Sequence, residues 1–93
     1  MYQRILFQIR DCVRVRRYIM TLHAEEEMDE DGFSIFDVEH CLLTAQIEER
    51  QKDMQTGEWK YRLSGKSLND ENMELVVKFG HGGILVIITV YLA

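Results

Sequence analysis

Two groups of side chains in this 93-residue sequence have the types and spacing needed for chemistry. In the first, His23 is followed by Glu26 and Glu27, spacings that can share a helix face. An imidazole beside carboxylates can act as a general acid or base, or bind a metal. A metal would need a third ligand such as His40 or His81, and zinc ligands normally follow a tighter spacing. We therefore expect no metal and no cofactor. The simpler interpretation is a histidine that bonds a neighbouring carboxylate or backbone group at a helix start.

The second group is basic. Lys60 and Arg62 alternate along one segment, and Lys66 follows it. Alternate residues of a strand point to the same face, so these side chains could form a patch that binds a phosphate. The alternative is an ordinary solvated face of a sheet.

Other motifs indicate structure rather than chemistry. The glycine-rich run 80–83 leads into an apolar strand pattern, whereas phosphate-binding loops lead into a helix, so we expect a hairpin turn. Cys12 and Cys41 have no paired spacing and fall on apolar faces of predicted helices. This favours buried free thiols over a disulfide or a reactive thiol. Free thiols are typical of a reducing compartment, so we expect a cytoplasmic protein.

Charge is distributed unevenly along the chain. Residues 1–22 contain five arginines and one acid, which gives +4. Residues 23–49 contain ten acids and no lysine or arginine, which gives −10. The whole chain carries −5, and an acidic protein is a poor general binder of nucleic acid, because affinity for phosphates comes from Lys and Arg. Any RNA contact must be local, and the oppositely charged parts could attract a partner or each other.

The first half of the chain has helical periodicity. Helices are predicted over 3–16, 22–30 and 34–45, with a short extended joint or strand at 18–21. Thr21 is a suitable N-cap for the second helix, and Gly32 follows its end. Ser34 and Asp37 have the spacing of a capping box at the start of the third helix.

The second half alternates between apolar and polar residues. Strands are predicted over 46–52, 58–64, 72–79 and 84–91. The first of these has Ile47 as its only strong apolar residue and is typical of an edge strand, whereas the last is almost continuously apolar and typical of a strand covered on both faces. At seven residues, 84–90 is far shorter than the ~20 residues of a membrane-spanning helix, so we expect no membrane association.

These patterns predict a single α+β domain over residues 1–93. The N-terminal helices are expected to pack on one face of a four-stranded, mainly antiparallel sheet. In the second strand Trp59, Tyr61 and Leu63 should share one face, while Lys60 and Arg62 share the other.

The chain also resembles a known family. The residues that carry the likeness are Tyr18, Thr21, His23, Ala24, Met28, Gly32-Phe33-Ser34, Asp37-Val38-Glu39, Lys60-Tyr61, Gly65-Lys66 and the run from Val86 to Tyr91. In this order and spacing they are similar to the family called domain of unknown function 4258. The resemblance covers nearly the whole chain.

This resemblance implies a fold related to the RelE-like and BrnT-like toxins of toxin–antitoxin modules, some of which cleave RNA without a metal. By position it implies a set of catalytic residues, namely His23, Lys60, Tyr61, Lys66 and Tyr91. Arg62, from the basic patch described above, would bind the phosphate. The sequence departs from the family pattern at Glu27, where a basic residue is usual. A carboxylate at this position would repel a phosphate.

Two functions stay open. One is a metal-independent ribonuclease toxin, in which His23 or a lysine is the general acid or base for attack by the RNA 2′-hydroxyl. The other is a protein-binding module of a toxin–antitoxin-type system, which pairs with an antitoxin-like partner or forms a homodimer through the 46–52 edge strand. The acidic charge and Glu27 favour the second.

Overall fold

The elements follow the chain in two blocks, with the helices mostly first and the hairpins second. The structure is a computed structural model that describes residues 2–93. In chain order the elements are α1 (Gln3–Arg14), β1 (Tyr18–Met20), α2 (Leu22–Glu30), α3 (Ile35–Thr44), β2 (Gln46–Lys52), β3 (Trp59–Lys66), β4 (Asn72–Phe79) and β5 (Leu85–Leu92). A short 3₁₀ turn, His81–Gly83, joins the last two strands, so the predicted hairpin turn is confirmed.

Local hydrogen bonds explain where the second and third helices begin. The Thr21 side chain accepts a hydrogen bond from the backbone N–H of Ala24, which satisfies a free donor at the start of α2. Ser34 and Asp37 form the predicted capping box at the start of α3. Both predicted helix starts are therefore confirmed. They could be predicted because each cap joins residues only three positions apart in the sequence.

The sheet has five strands, in the order β1-β5-β4-β3-β2, so the prediction of four strands was wrong. The extra strand is β1, whose residues Tyr18–Met20 pair in parallel with β5 and make the sheet mixed. A three-residue segment is too short to show a period of two, and its partner lies more than sixty residues further along the chain. The remaining pairs are antiparallel, as predicted.

The two faces of the sheet differ in character. One face packs against the helices and forms the core, where the buried side chains include Leu63, Met73, Leu75, Val77, Leu85, Ile87 and Val90. The other, the open face, carries Lys60, Arg62 and the alternate residues of the neighbouring strands. The predicted alternation along β3 is therefore confirmed, since Tyr61 and Leu63 are buried in the core.

Gly65 allows α3 to lie directly on β3. A Cβ atom at this position would stand 2.9 Å from both Ala45 Cβ and Cys41 Sγ. Real Cβ atoms do not approach so closely, so the absence of a side chain at Gly65 is what permits the contact. Both cysteines are free thiols, and Cys41 is buried as predicted, whereas Cys12 is only half-buried.

Among residues 2–93, no helix is long and apolar enough to cross a membrane.

Candidate functional site

Helix α2 covers the part of β5 that β1 does not reach. The carboxylate of Glu27 accepts a hydrogen bond from the backbone N–H of Val90 at 3.1 Å. One helical turn later, Asp31 accepts one from the backbone N–H of Leu92 at 2.8 Å. Carboxylates four residues apart on a helix thus match N–H groups two residues apart on a strand edge. These acids satisfy backbone donors that would otherwise face solvent or a partner.

His23 contacts Glu27, the same carboxylate that binds the edge of β5. Its Nε2 lies 3.1 Å from Glu27 Oε1, and its side chain is 66% exposed. The contact is the one that the simpler interpretation predicted, a histidine bonded to a neighbouring carboxylate. Within residues 2–93 no three His, Cys, Asp or Glu side chains are grouped so that they could hold a metal.

Lysines on the open face are paired with acids from the turn between β2 and β3. Lys60 Nζ lies 3.2 Å from Asp53 Oδ2, and Lys78 Nζ lies 3.2 Å from Glu58 Oε1. The register that pairs Tyr61 with Val77 puts Lys60 opposite Lys78, so two like charges would repel each other without these acids. The partners hold both ammonium groups and reduce the positive field available to a phosphate.

Arg62, Glu74 and Tyr91 form a cluster across three strands of the open face. Arg62 Nη1 lies 3.0 Å from Glu74 Oε1, and the Tyr91 hydroxyl donates to the same oxygen at 2.5 Å. These hydrogen bonds, first from Tyr91 and then from Arg62, lower the pKa of Glu74. The hydrogen bond to Glu74 raises the pKa of Tyr91, and the negative charge of Glu27 adds to that rise.

The remaining predicted site residues lie elsewhere. Tyr61 is 6% exposed and packs edge-on against Phe79 in the core, on the opposite face from Lys60 and Arg62. Lys66, at the end of β3, donates to Asn72 Oδ1 at 2.6 Å. Lys60 and Lys66 are six residues apart on one strand, which corresponds to about 20 Å, so they cannot grip one phosphate together.

Among the six residues predicted for the site, Arg62 and Tyr91 both contact the carboxylate of Glu74. His23 contacts Glu27, which was not predicted as a site residue. The structure separates Tyr61, Lys60 and Lys66 from one another. Sequence reasoning missed the acids that neutralise the basic patch. They lie in the hairpin turn and on the neighbouring strand, positions that only the strand register reveals.

A groove between α1 and β2 is a second candidate site, which sequence reasoning also missed. Two adjoining depressions of about 300 and 360 Å³ share Gln3, Leu6 and Gln46 in their walls. Phe7 and Arg10 line one end, and Tyr2 and Ile47 line the other. The available signal was the position of Arg10, one helical turn after Leu6 and therefore at the border of the apolar stripe.

A comparison with known protein families identifies the family of this chain. The family described as Domain of unknown function (DUF4258) matches residues 20–92, which run from the last residue of β1 to the last residue of β5. The chain belongs to the DUF4258 family. Neither a curated protein nor a solved structure matches it.

Several residues in the DUF4258 part of this chain have structural roles. Ser34 caps α3, and Gly65 lets α3 contact the sheet. Glu27, where the family resemblance suggested a basic residue, accepts a hydrogen bond from the edge of β5. Helix α1 and its Arg10 precede the DUF4258 match, so the groove combines a family element, β2, with a flanking one.

Proposed function

We propose that this DUF4258 protein is a non-catalytic protein-binding module of a toxin–antitoxin-type system. In this role it binds an extended segment of a partner along β2. The observation that carries the proposal is the difference between the two edges of the sheet. A partner strand can form main-chain hydrogen bonds only where the edge donors and acceptors are free.

The β1 side of the sheet offers little for strand addition. The edge strand β1 has three residues, and the rest of β5 is covered by the carboxylates of Glu27 and Asp31. The other edge strand, β2, runs over seven residues, Gln46–Lys52, and among residues 2–93 it pairs with β3 on one side only. A partner segment of ordinary strand length would therefore add at β2.

The composition of β2 favours selective binding over indiscriminate aggregation. Glu48 and Arg50 are exposed, and the register shifts between Ile47 and Glu49. Charged side chains and bulges are devices by which natural edge strands avoid pairing with unrelated chains. A partner must therefore match the charges as well as the backbone.

The open face argues against phosphate binding as the main function. Lys60 and Lys78 already have acidic partners, and Arg62 is held by Glu74. A phosphate would have to displace carboxylates in a chain of net charge −5. The toxin–antitoxin setting of the proposal comes from the relation to RelE-like and BrnT-like toxins that the family resemblance implies, and the partner is antitoxin-like or a second copy.

Induced expression in bacteria separates the two functions. The native chain and a Lys60→Ala/Lys66→Ala variant would be expressed side by side while growth is followed. A binding module should leave growth unchanged in both cultures, and purified protein should leave RNA intact. Growth arrest by the native chain that is lost in the variant would overturn the proposal.

Peptide selection tests the use of β2 directly. A random dodecapeptide library displayed on phage would be selected on the immobilised full chain, and binding peptides would be synthesised with amidated C-termini. We expect bound peptide to slow hydrogen exchange at backbone amides of Gln46–Lys52, because an added strand protects edge N–H groups. Protection confined to the open face around Arg62 and Tyr91, or no binding peptide at all, would contradict strand addition at β2.

A second candidate function is metal-independent RNA cleavage, which one observation favours. Arg62 and Tyr91 meet at the carboxylate of Glu74 on the open face. This cluster could combine a phosphate ligand with a proton donor if Glu74 released Arg62. Cleavage of single-stranded RNA that is abolished by Arg62→Gln, but not by Lys66→Gln, would favour this function.

A further inference from the structure

The groove between α1 and β2 lies directly beside the start of the open edge. Gln46 and Ile47, the first residues of β2, form one wall, and Leu6 and Gln3 of α1 form the other. Phe7 is 61% exposed at one end, so the wall presents an apolar ring to solvent. A segment added to β2 would extend into this groove, and its side chains would contact α1.

Arg10 gives this groove a charge that its surroundings do not neutralise. One terminal nitrogen, Nη2, donates to the backbone carbonyl of Ala45 at 3.3 Å, which fixes the guanidinium beside the start of β2. Its Nε is buried and has no hydrogen-bond partner among residues 2–93. No acidic side chain of the described chain forms a salt bridge with Arg10, whereas Arg14 on the same helix is paired with Asp11 at 3.1 Å. Because Nε is closed off from solvent, an incoming carboxylate would pair with the part of the guanidinium that lines the groove, whose charge no acid of the described chain neutralises.

We infer that the groove between α1 and β2 binds an acidic side chain of an extended partner segment, whose carboxylate pairs with Arg10. This inference rests on the proposed function, because the partner backbone is taken to pair with β2. An apolar residue of the same segment lies against Leu6 and Phe7. Arg10 is the one charged side chain among the described residues that line the groove, so the lining is complementary to an acidic partner.

A side-chain carboxylate suits this position better than a chain terminus. The groove extends to both sides of the shared residues Gln3, Leu6 and Gln46, towards Arg10 in one direction and Ile47 in the other. A segment that lies along this length presents side chains rather than only its last residue. An aspartate or glutamate can therefore reach Arg10 while the backbone continues past it.

Titration of synthetic peptides against the full chain tests the inference. The probes are the amidated peptides selected on the native chain, and each acidic residue would be changed in turn to its amide, Glu→Gln or Asp→Asn. We expect one such change to weaken binding about tenfold or more, as measured by fluorescence anisotropy, because a charge-assisted hydrogen bond is lost. The same change should make no difference to the Arg10→Gln protein, whose affinity should already be reduced.

Two further variants locate the effect. Arg10→Lys keeps the charge but replaces the planar fork of the guanidinium with a single ammonium group, so it should also lose affinity for the acidic peptide. Arg14→Gln removes an exposed arginine of the same helix and should leave affinity unchanged. The amide-for-acid exchange is made in the peptide, so it stays informative even if an Arg10 variant folds poorly.

The outcomes distinguish this inference from the proposed function. Peptides that protect β2 but bind equally well with and without an acid would overturn the carboxylate assignment and leave strand addition intact. The same peptides would also be synthesised with a free C-terminal carboxylate, and binding that needs this group instead of a side chain would also overturn the assignment. A library that yields no peptide protecting β2 overturns both proposals, because the inferred contact needs a partner strand.

Discussion

The carboxylate of Glu27 accepts the backbone N–H of Val90 at 3.1 Å, although 63 positions separate the two residues. This single contact ties α2 to the edge of β5. Val90 is fully buried in the intact chain, and the Glu27 carboxylate is the acceptor of its N–H. Glu27 therefore has a structural role at a position where the family resemblance suggested a phosphate-binding cation.

The first prediction concerns this contact. Glu27→Ala should lower the free energy of unfolding by about 1–3 kcal/mol, because it leaves a buried backbone donor unsatisfied. Glu27→Gln keeps an acceptor and should cost less. Urea unfolding followed by circular dichroism measures both, with Glu26→Ala as the exposed control on the same helix, for which we expect a change within about 0.5 kcal/mol. Equal losses for Glu26→Ala and Glu27→Ala would refute the role of Glu27.

The second prediction concerns the contact between α3 and β3. Gly65→Ala should destabilise the protein by about 1–3 kcal/mol, because the new methyl group would lie 2.9 Å from the Ala45 and Cys41 side chains. The neighbouring Ser64→Ala places a smaller side chain on the opposite face and serves as the control. If thermal unfolding shows no difference between the two variants, the close packing of α3 on β3 is wrong.

The third prediction concerns alkaline pH. Burial first, and then the hydrogen bond to Glu39, raise the pKa of Tyr18 to about 12. A group whose pKa is raised by folding contributes stability below its ordinary pKa of 10.0 and loses that contribution as the pH rises to about 12. Ultraviolet titration of phenolate should therefore show a late-ionising tyrosine that is absent from Tyr18→Phe.

The Tyr18→Phe variant should also be less stable at neutral pH, by about 1–2 kcal/mol, because the charged acceptor Glu39 loses its donor. Its unfolding free energy should fall less steeply than that of the native chain between pH 10 and 12. Parallel pH profiles for the two proteins would contradict this assignment.

The fourth prediction concerns acid pH and the open face. The Tyr91 hydrogen bond first, and that of Arg62 next, lower the pKa of Glu74. The stability associated with the ionised Glu74 is present above the ordinary pKa of 4.5 and is lost as the pH falls through the lower folded value. Tyr91→Phe should move the pKa of Glu74 back towards 4.5, and Arg62→Gln should move it less. Carboxyl resonances followed by nuclear magnetic resonance during acid titration measure both shifts. A larger effect from Arg62→Gln than from Tyr91→Phe would mean that the arginine is the stronger of the two partners of Glu74.

The fifth prediction concerns the two thiols. Burial raises the pKa of Cys41 to about 11, so almost none of it is thiolate near neutral pH. Iodoacetamide should therefore label the native chain first at the half-buried Cys12, and both thiols should react after unfolding. Mass spectrometry of the adducts gives the count, and Cys41→Ala should still show the native single adduct. Early labelling of Cys41 would mean that α3 does not hold this thiol away from solvent.

Much of the fold could be predicted from the sequence, because helix caps and strand alternation are local. The capping box of Ser34 and Asp37 gave the start of α3 correctly. The alternation along β3 correctly put Tyr61 in the core and Lys60 on the opposite face. The same alternation already implied that this adjacent pair could not form one site on one face.

The candidate site was harder to predict, because its composition depends on contacts between distant segments. The lysine-rich ribbon indicated a phosphate site, but Asp53 and Glu58 reach back from the hairpin turn to Lys60 and Lys78. The parallel pairing of β1 with β5 was missed for the same reason. Neither is visible in the spacing of neighbouring residues.

By itself, the sequence determined the order and type of the main elements and the α+β class. These follow from hydrogen bonds and side-chain periods that span a few residues. Only the tertiary structure decided that α2 covers one edge of the sheet, that β2 stays open and that Arg10 borders a groove without an acidic partner among residues 2–93. The reason is physical, since backbone donors and charges are satisfied by whatever folding brings next to them, irrespective of its distance along the chain.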